Sequence, residues 1–89
     1  MVSINEEEYI KLIGSFEKIC LEGSGAIKRN AIRKNEGRLL MVKDAERGYF
    51  IGRVTYDKED CFRYSIEANG IEKTLLYKDL RELYILPPS

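Results

Sequence analysis

The sequence predicts an α+β fold in which one N-terminal amphipathic helix packs on a four- or five-stranded antiparallel meander. Two observations carry this prediction. Apolar residues recur at spacings of three and four over residues 5–22, and beyond residue 38 the chain turns into short β-branched and aromatic runs separated by turn residues. With 89 residues the chain has length for one domain, 1–89, and one core.

The helix is placed over residues 5–22. Asn5 stands before Glu6, Glu7 and Glu8, with Glu8 three residues on, which is the spacing of a capping box. Ile4 and Tyr9 fall at the two staple positions, and the acids complement the positive end of the helix dipole. Tyr9, Leu12, Ile13, Phe16, Ile19 and Cys20 then form one apolar stripe, opposite Glu7, Lys11, Ser15, Lys18 and Glu22. Gly23 is expected to cap the helix in the left-handed conformation.

Residues 26–38, AIKRNAIRKNEGR, interrupt this pattern with five bases and one acid. The full chain is formally neutral, yet residues 1–25 carry two bases against five acids, and residues 39–89 carry eight against nine. The charge is therefore polarised between an acidic first element and a basic connection. Ile27, Ala31 and Ile32 have helical spacing, while the flanking Gly and Asn residues equally suit a first strand with a turn at Asn35-Glu36-Gly37.

Strands are predicted at Leu39–Val42, Tyr49–Tyr56, Cys61–Ala68 and Ile71–Leu76, with a sheet over residues 39–86. Turn chemistry separates them at residues 45–48, at 57–60 and at Asn69-Gly70, both of whose residues tolerate positive φ. Phe62, Tyr64, Ile66 and Ala68 alternate with Arg63, Ser65 and Glu67, so this strand has one dry face and one wet face. Phe50, Gly52, Val54 and Tyr56 alternate similarly with Tyr49, Ile51, Arg53 and Thr55. The expected core comprises Ile13, Phe16, Ile19, Phe50, Val54, Phe62, Tyr64, Ile66, Leu75 and Leu80.

The tail TLLYKDLRELYILPP reads as a strand, a single turn at Tyr77-Lys78-Asp79-Leu80 and a last strand near Leu83–Leu86, ended by Pro87 and Pro88. With GYFIGRVTY before it, and Gly52 at a bend, this pattern resembles a Tudor-like small β-barrel over roughly residues 38–86. The resemblance implies a meander curled toward closure. It carries no aromatic cage that particular residues can be matched to.

The residue inventory narrows the chemistry. There is no His, the commonest general base, and Cys20 and Cys61 are far apart in sequence, unlike a disulfide scaffold or a zinc site. Both cysteines are read as buried thiols in a reducing, cytoplasmic setting. Asp57, Glu59 and Asp60 lack the ligand spacing of a calcium loop and read as a solvated turn. Gly23-Ser24-Gly25 follows the expected helix, with no Gly-Lys-Ser/Thr beside it, so it is not read as a phosphate cradle. No apolar run approaches the ~20 residues of a membrane span, and the acidic N-terminus is unlike a secretory leader.

We therefore read the chain as non-enzymatic and without a cofactor or metal. The expectation is a protein-binding module of the kind small bacterial or phage proteins use to inhibit or recruit a larger machine, a phage anti-defence inhibitor being one example. The alternative is a nucleic-acid-binding accessory domain that lays segment 26–38 along a backbone. A larger protein or nucleoprotein assembly is the expected partner, with homodimerisation through an open sheet edge as a further option. Candidate binding residues are Lys28, Arg29, Arg33, Lys34 and Arg38, joined by Arg47, Arg53, Tyr49 and Tyr84, the last two expected to be exposed. As solvated charges, Arg29, Arg33 and Lys34 should be removable together with little effect on stability.

Overall fold

The computed structural model describes residues 2–23 and 25–87. Ser24 of the glycine-rich stretch and Pro88 of the tail lie outside the described residues. The elements are β1 (Ser3–Ile4), α1 (Glu6–Leu12), β2 (Glu17–Ile19), α2 (Gly25–Lys34), β3 (Leu39–Asp44), β4 (Gly48–Thr55), β5 (Arg63–Ala68), β6 (Ile71–Leu76) and β7 (Leu80–Ile85). Single 3₁₀ turns follow α1 at Ile13–Ser15 and β6 at Tyr77–Asp79. The fold is mixed α+β, as the residue pattern predicts.

The first helix is much shorter than its apolar stripe suggests. Asn5 does cap it, accepting the Glu8 N–H through its side chain at 2.8 Å, but the helix ends at Leu12. Gly14 and Ser15 then interrupt it, where glycine costs about 1 kcal/mol against alanine in a helix interior. The next residues have a second use. Glu17–Ile19 pair antiparallel with β7, so their backbone bonds go to a sheet edge. Ile13, Phe16 and Ile19 are consequently half-buried and do not form the centre of the core. Gly23 has φ +119° and introduces α2 in place of capping α1.

The basic segment is helical. Residues 25–34 form α2, and the turn after it uses Gly37 at φ +81°. The Asn35 side chain donates back to the Ala31 carbonyl at 2.7 Å, which satisfies a carbonyl at the helix end. Ile32, fully buried, presses α2 onto the sheet.

All strand pairs are antiparallel, in the order β2-β7-β3-β4-β5-β6, with β1 pairing the start of β4. β3–β6 form the predicted meander, and Asn69 and Gly70 make its tightest turn with φ values of 53° and 81°. The described residues nevertheless form seven strands where four or five are expected, because β7 returns to β3 and the short β1 and β2 add to β4 and β7. The sheet does not close into a barrel, because β2 and β6 stand at its two ends. The open seam lies between β6 and the β3–β4 turn, and one side-chain bond crosses it in place of a ladder: Arg47 Nη1 donates to the Thr74 carbonyl at 3.2 Å. Beside it, Ala45 N–H donates to the Asp79 carbonyl at 2.8 Å and extends the β3–β7 pairing by one residue.

The two faces of the sheet are covered unequally. The inner face carries Leu40, Val42, Phe50, Val54, Tyr64, Ile66, Leu75, Leu80, Leu83 and Ile85, which meet Ile32 of α2 in one buried cluster. On the other face α1 covers only part of β4 and β7. There the Tyr9 ring lies 4.4 Å from Tyr49 and 5.7 Å from Tyr84, centroid to centroid. Phe62 continues the alternation of β5 but precedes its first residue, Arg63, and is 74 % exposed. Cys20 and Cys61 are exposed as well, contrary to the buried thiols expected from their apolar neighbours.

Gly52 is where β4 changes partners. β4 pairs β1 at Tyr49 and Phe50 and β5 from Arg53 onward. A Cβ on Gly52 would lie 2.4 Å from the backbone oxygen of Glu67. Gly52→Ala is therefore expected to destabilise the protein by about 1–3 kcal/mol, as overpacking against a rigid neighbour does. Gly14→Ala, with nothing within 4 Å of the new methyl group, serves as the control and should not destabilise. Urea denaturation of the two variants measures the difference.

Burial also sets a limit at high pH. The Tyr9 hydroxyl is pushed above its ordinary value by burial and by its hydrogen bond to the Glu82 carboxylate at 2.9 Å. Burial and the nearby Asp44 carboxylate raise Tyr64, and burial raises Tyr77. A phenol that ionises less readily when folded stabilises fully below its unfolded value near 10, and loses that contribution as pH rises toward the folded value. Stability should hold to about pH 10 and then fall. The part of the phenolate absorbance that Tyr9→Phe, Tyr64→Phe or Tyr77→Phe removes should rise together with the loss of far-ultraviolet ellipticity, and not before it.

Candidate functional site

Most of the sequence-predicted binding residues are occupied inside the fold. Arg33 is the clearest case. Its Nη2 donates to the carbonyls of Asp60 at 3.2 Å and Lys58 at 3.5 Å, and its guanidinium lies 4.8 Å above the Tyr56 ring. It also faces the Tyr77 hydroxyl and works against the burial that raises Tyr77. That approach is electrostatic, since neither Arg33 Nε nor Tyr77 Oη has a partner at hydrogen-bonding distance. Arg33 thus ties α2 to the loop before β5.

The other charges divide similarly. Arg53 donates to the Gly37 carbonyl at 2.8 Å, and Lys28 to the Lys78 carbonyl at 3.4 Å. Arg38 reaches Asn35 Oδ1 at 3.4 Å and the Leu86 carbonyl at 3.5 Å. Tyr49 and Tyr84 are half-buried beneath α1 and do not form an exposed aromatic surface. Their phase along the strands did place them away from the main core, but that face has its own helix. Lys34 is exposed on α2.

Arg29 and Arg47 differ from the rest because the seam brings them together. They line a groove of about 820 Å³ between the start of α2, the β3–β4 turn, residues 61–63 and the end of β6. Cys61, Phe62, Leu75 and Leu76 supply an apolar wall, and Arg63 and Lys78 complete a basic rim. Among the described residues no carboxylate lines this groove. Arg29 is half-buried and has no hydrogen-bond or ion-pair partner among the described residues. Arg63 has only a 3.6 Å contact with Asp60, and its side chain is 63 % exposed. An exposed pair of that kind contributes about 0–1 kcal/mol, so a better-placed anion can compete for Arg63.

Sequence reading missed Phe62, Arg63 and Lys78. Alternation along the strand places Phe62 in the core, and nothing in the local pattern marks where β5 begins. The signal lies in Asp60, whose Oδ1 accepts the N–H groups of Phe62 at 2.8 Å and Arg63 at 3.1 Å. This Asx-type turn ends the loop and directs Phe62 off the sheet.

A second groove, of about 870 Å³, runs along the other flank of α2 beside β2 and includes Ile27, Lys34 and Arg38. Glu17 also lines it, and Arg38 is engaged with the backbone as described. Of the two, the seam groove has the aromatic lining, with Phe62 exposed in it, and has no carboxylate among its described lining residues. Comparison with known proteins finds no matching family model, no matching curated protein and no matching solved structure.

The contrast between neighbouring cations is testable by stability. Arg33→Ala should lower it by about 1–3 kcal/mol, because two carbonyls lose a charged donor and Tyr56 loses its cation. Lys34→Ala should change it by less than about 0.5 kcal/mol. Thermal melts of the two variants check this, and equal effects would contradict the division drawn between them.

Proposed function

We propose that this chain is a non-enzymatic protein-binding module whose docking surface is the groove at the open seam of the sheet. The observation that carries this reading is Phe62, 74 % exposed in an apolar groove with a basic rim. Exposed apolar surface rimmed by polar groups favours association, and aromatic and Arg side chains dominate interface energetics. Among the described residues the groove is lined by three guanidinium groups, one ammonium, one thiol and the hydroxyl-bearing Thr74 and Tyr77. Among the described residues it presents no imidazole or carboxylate to move a proton, and burial raises the Tyr77 phenol, which supports a binding role over catalysis.

The Tudor-like reading of residues 38–86 belongs to the same proposal. β7 folds back onto β3 after a single 3₁₀ turn, the connection that the resemblance implies, with the curl left open at β6. A module this small acts by covering part of a larger assembly, to inhibit it or to recruit it.

Affinity capture with the wild-type chain and with Phe62→Ala tests the proposal, each in the presence of nuclease. Phe62→Ala should fold normally, since little of the ring is buried, and should lose the proteins that wild type retains. A partner retained equally by both variants, or lost from both on nuclease treatment, contradicts the proposed docking surface.

A further inference from the structure

We infer that the seam groove selects an acidic protein segment carrying one large apolar side chain; this rests on the groove being the docking surface. Charge and shape select such a segment together. Arg29, Arg47, Arg63 and Lys78 surround the apolar wall, and no carboxylate among the described residues offsets them there. Arg47 is committed at one nitrogen to the Thr74 carbonyl, which fixes its position at the seam and leaves the rest of its fork available. Arg29 is half-buried without a partner, an arrangement that an incoming carboxylate relieves.

The apolar wall excludes a purely ionic ligand. Phe62 and Leu76 need an apolar side chain to cover them, and Leu75 closes the bottom of the groove, with only 1 % of its surface exposed. A single-stranded nucleic acid fits less well. It needs a continuous basic track with repeated stacking platforms, whereas this groove has one exposed ring and aliphatic walls. The cations of α2 that would extend such a track, Arg33 and Lys28, are held by the carbonyls of Asp60 and Lys78. A second copy of the chain is the other occupant of suitable chemistry, since Glu6, Glu7 and Glu8 are exposed near Ile10, itself 57 % exposed. It is less suited than an extended segment, because those residues are fixed on a short helix and cannot follow the groove.

Fluorescence anisotropy with a labelled Glu-Glu-Phe-Glu-Glu peptide tests the inference. Comparison ligands are the same peptide with Ser for Phe, a Lys-Lys-Phe-Lys-Lys peptide and a short oligothymidylate. Saturable binding of the acidic Phe peptide is expected, about tenfold weaker for Arg29→Gln and Arg63→Gln and weaker still for both together. The Ser peptide should bind poorly, the Lys peptide not at all, and added salt should reduce the on-rate. Tighter binding of the oligothymidylate, equal binding of acidic and basic peptides, or no binding of any ligand overturns the inference. So does concentration-dependent self-association in light scattering that Glu6→Gln, Glu7→Gln and Glu8→Gln together abolish. If the peptides fail while partner capture still depends on Phe62, the docking surface stands and only its ligand chemistry is wrong.

Discussion

A close backbone approach at Gly52 underlies the shape of the sheet. β4 serves β1 and β5 on the same edge, and the exchange happens at a residue whose missing side chain lets the Glu67 carbonyl come near. The bend brings β5 and β6 around toward the β3–β4 turn without completing a ladder. What remains is a seam between β6 and the β3–β4 turn, crossed by the bond from Arg47 to the Thr74 carbonyl. The groove exists because the curl stops there, with the start of α2 lying across one side.

The two helices stabilise this arrangement by different means. α2 contributes Ile32 to the main core and reaches across to the loop before β5 through Arg33. α1 contributes Tyr9, whose ring packs on Tyr49 and Tyr84 while its hydroxyl satisfies Glu82. An aromatic side chain with a polar tip suits such a position, where a sheet face is dry near the helix and wet beyond it. The acidic first turn remains outside, while the basic segment is dispersed: of its five bases only Arg29 lines the seam groove, whose other cations are Arg47, Arg63 and Lys78.

How much of this could be read in the sequence depended on how local the signal was. The strands after residue 38 and the Asn69-Gly70 turn were legible, because alternation and positive-φ residues are local properties. The helix over 5–22 was overextended: a 3.6-residue stripe through Phe16 and Ile19 coincided with residues that pair with β7, and pairing on a sheet edge prevailed. Gly14-Ser15 held the correcting signal. Cys20 and Cys61 show the same limit, since apolar neighbours in sequence do not fix which residue faces solvent. The groove was not legible at all beyond Arg29 and Arg47. Its lining comes from four separated stretches of chain, and its defining residue, Phe62, continues a strand alternation past the point where the strand ends.

The account therefore turns on where a partner touches the surface, and amide chemical-shift mapping during titration with a captured partner addresses that directly. The account predicts that the largest shifts cluster at residues 25–29, 61–63 and 74–78, on the two sides of the seam. Shifts concentrated instead along residues 34–38 and β2, or on α1, would contradict it.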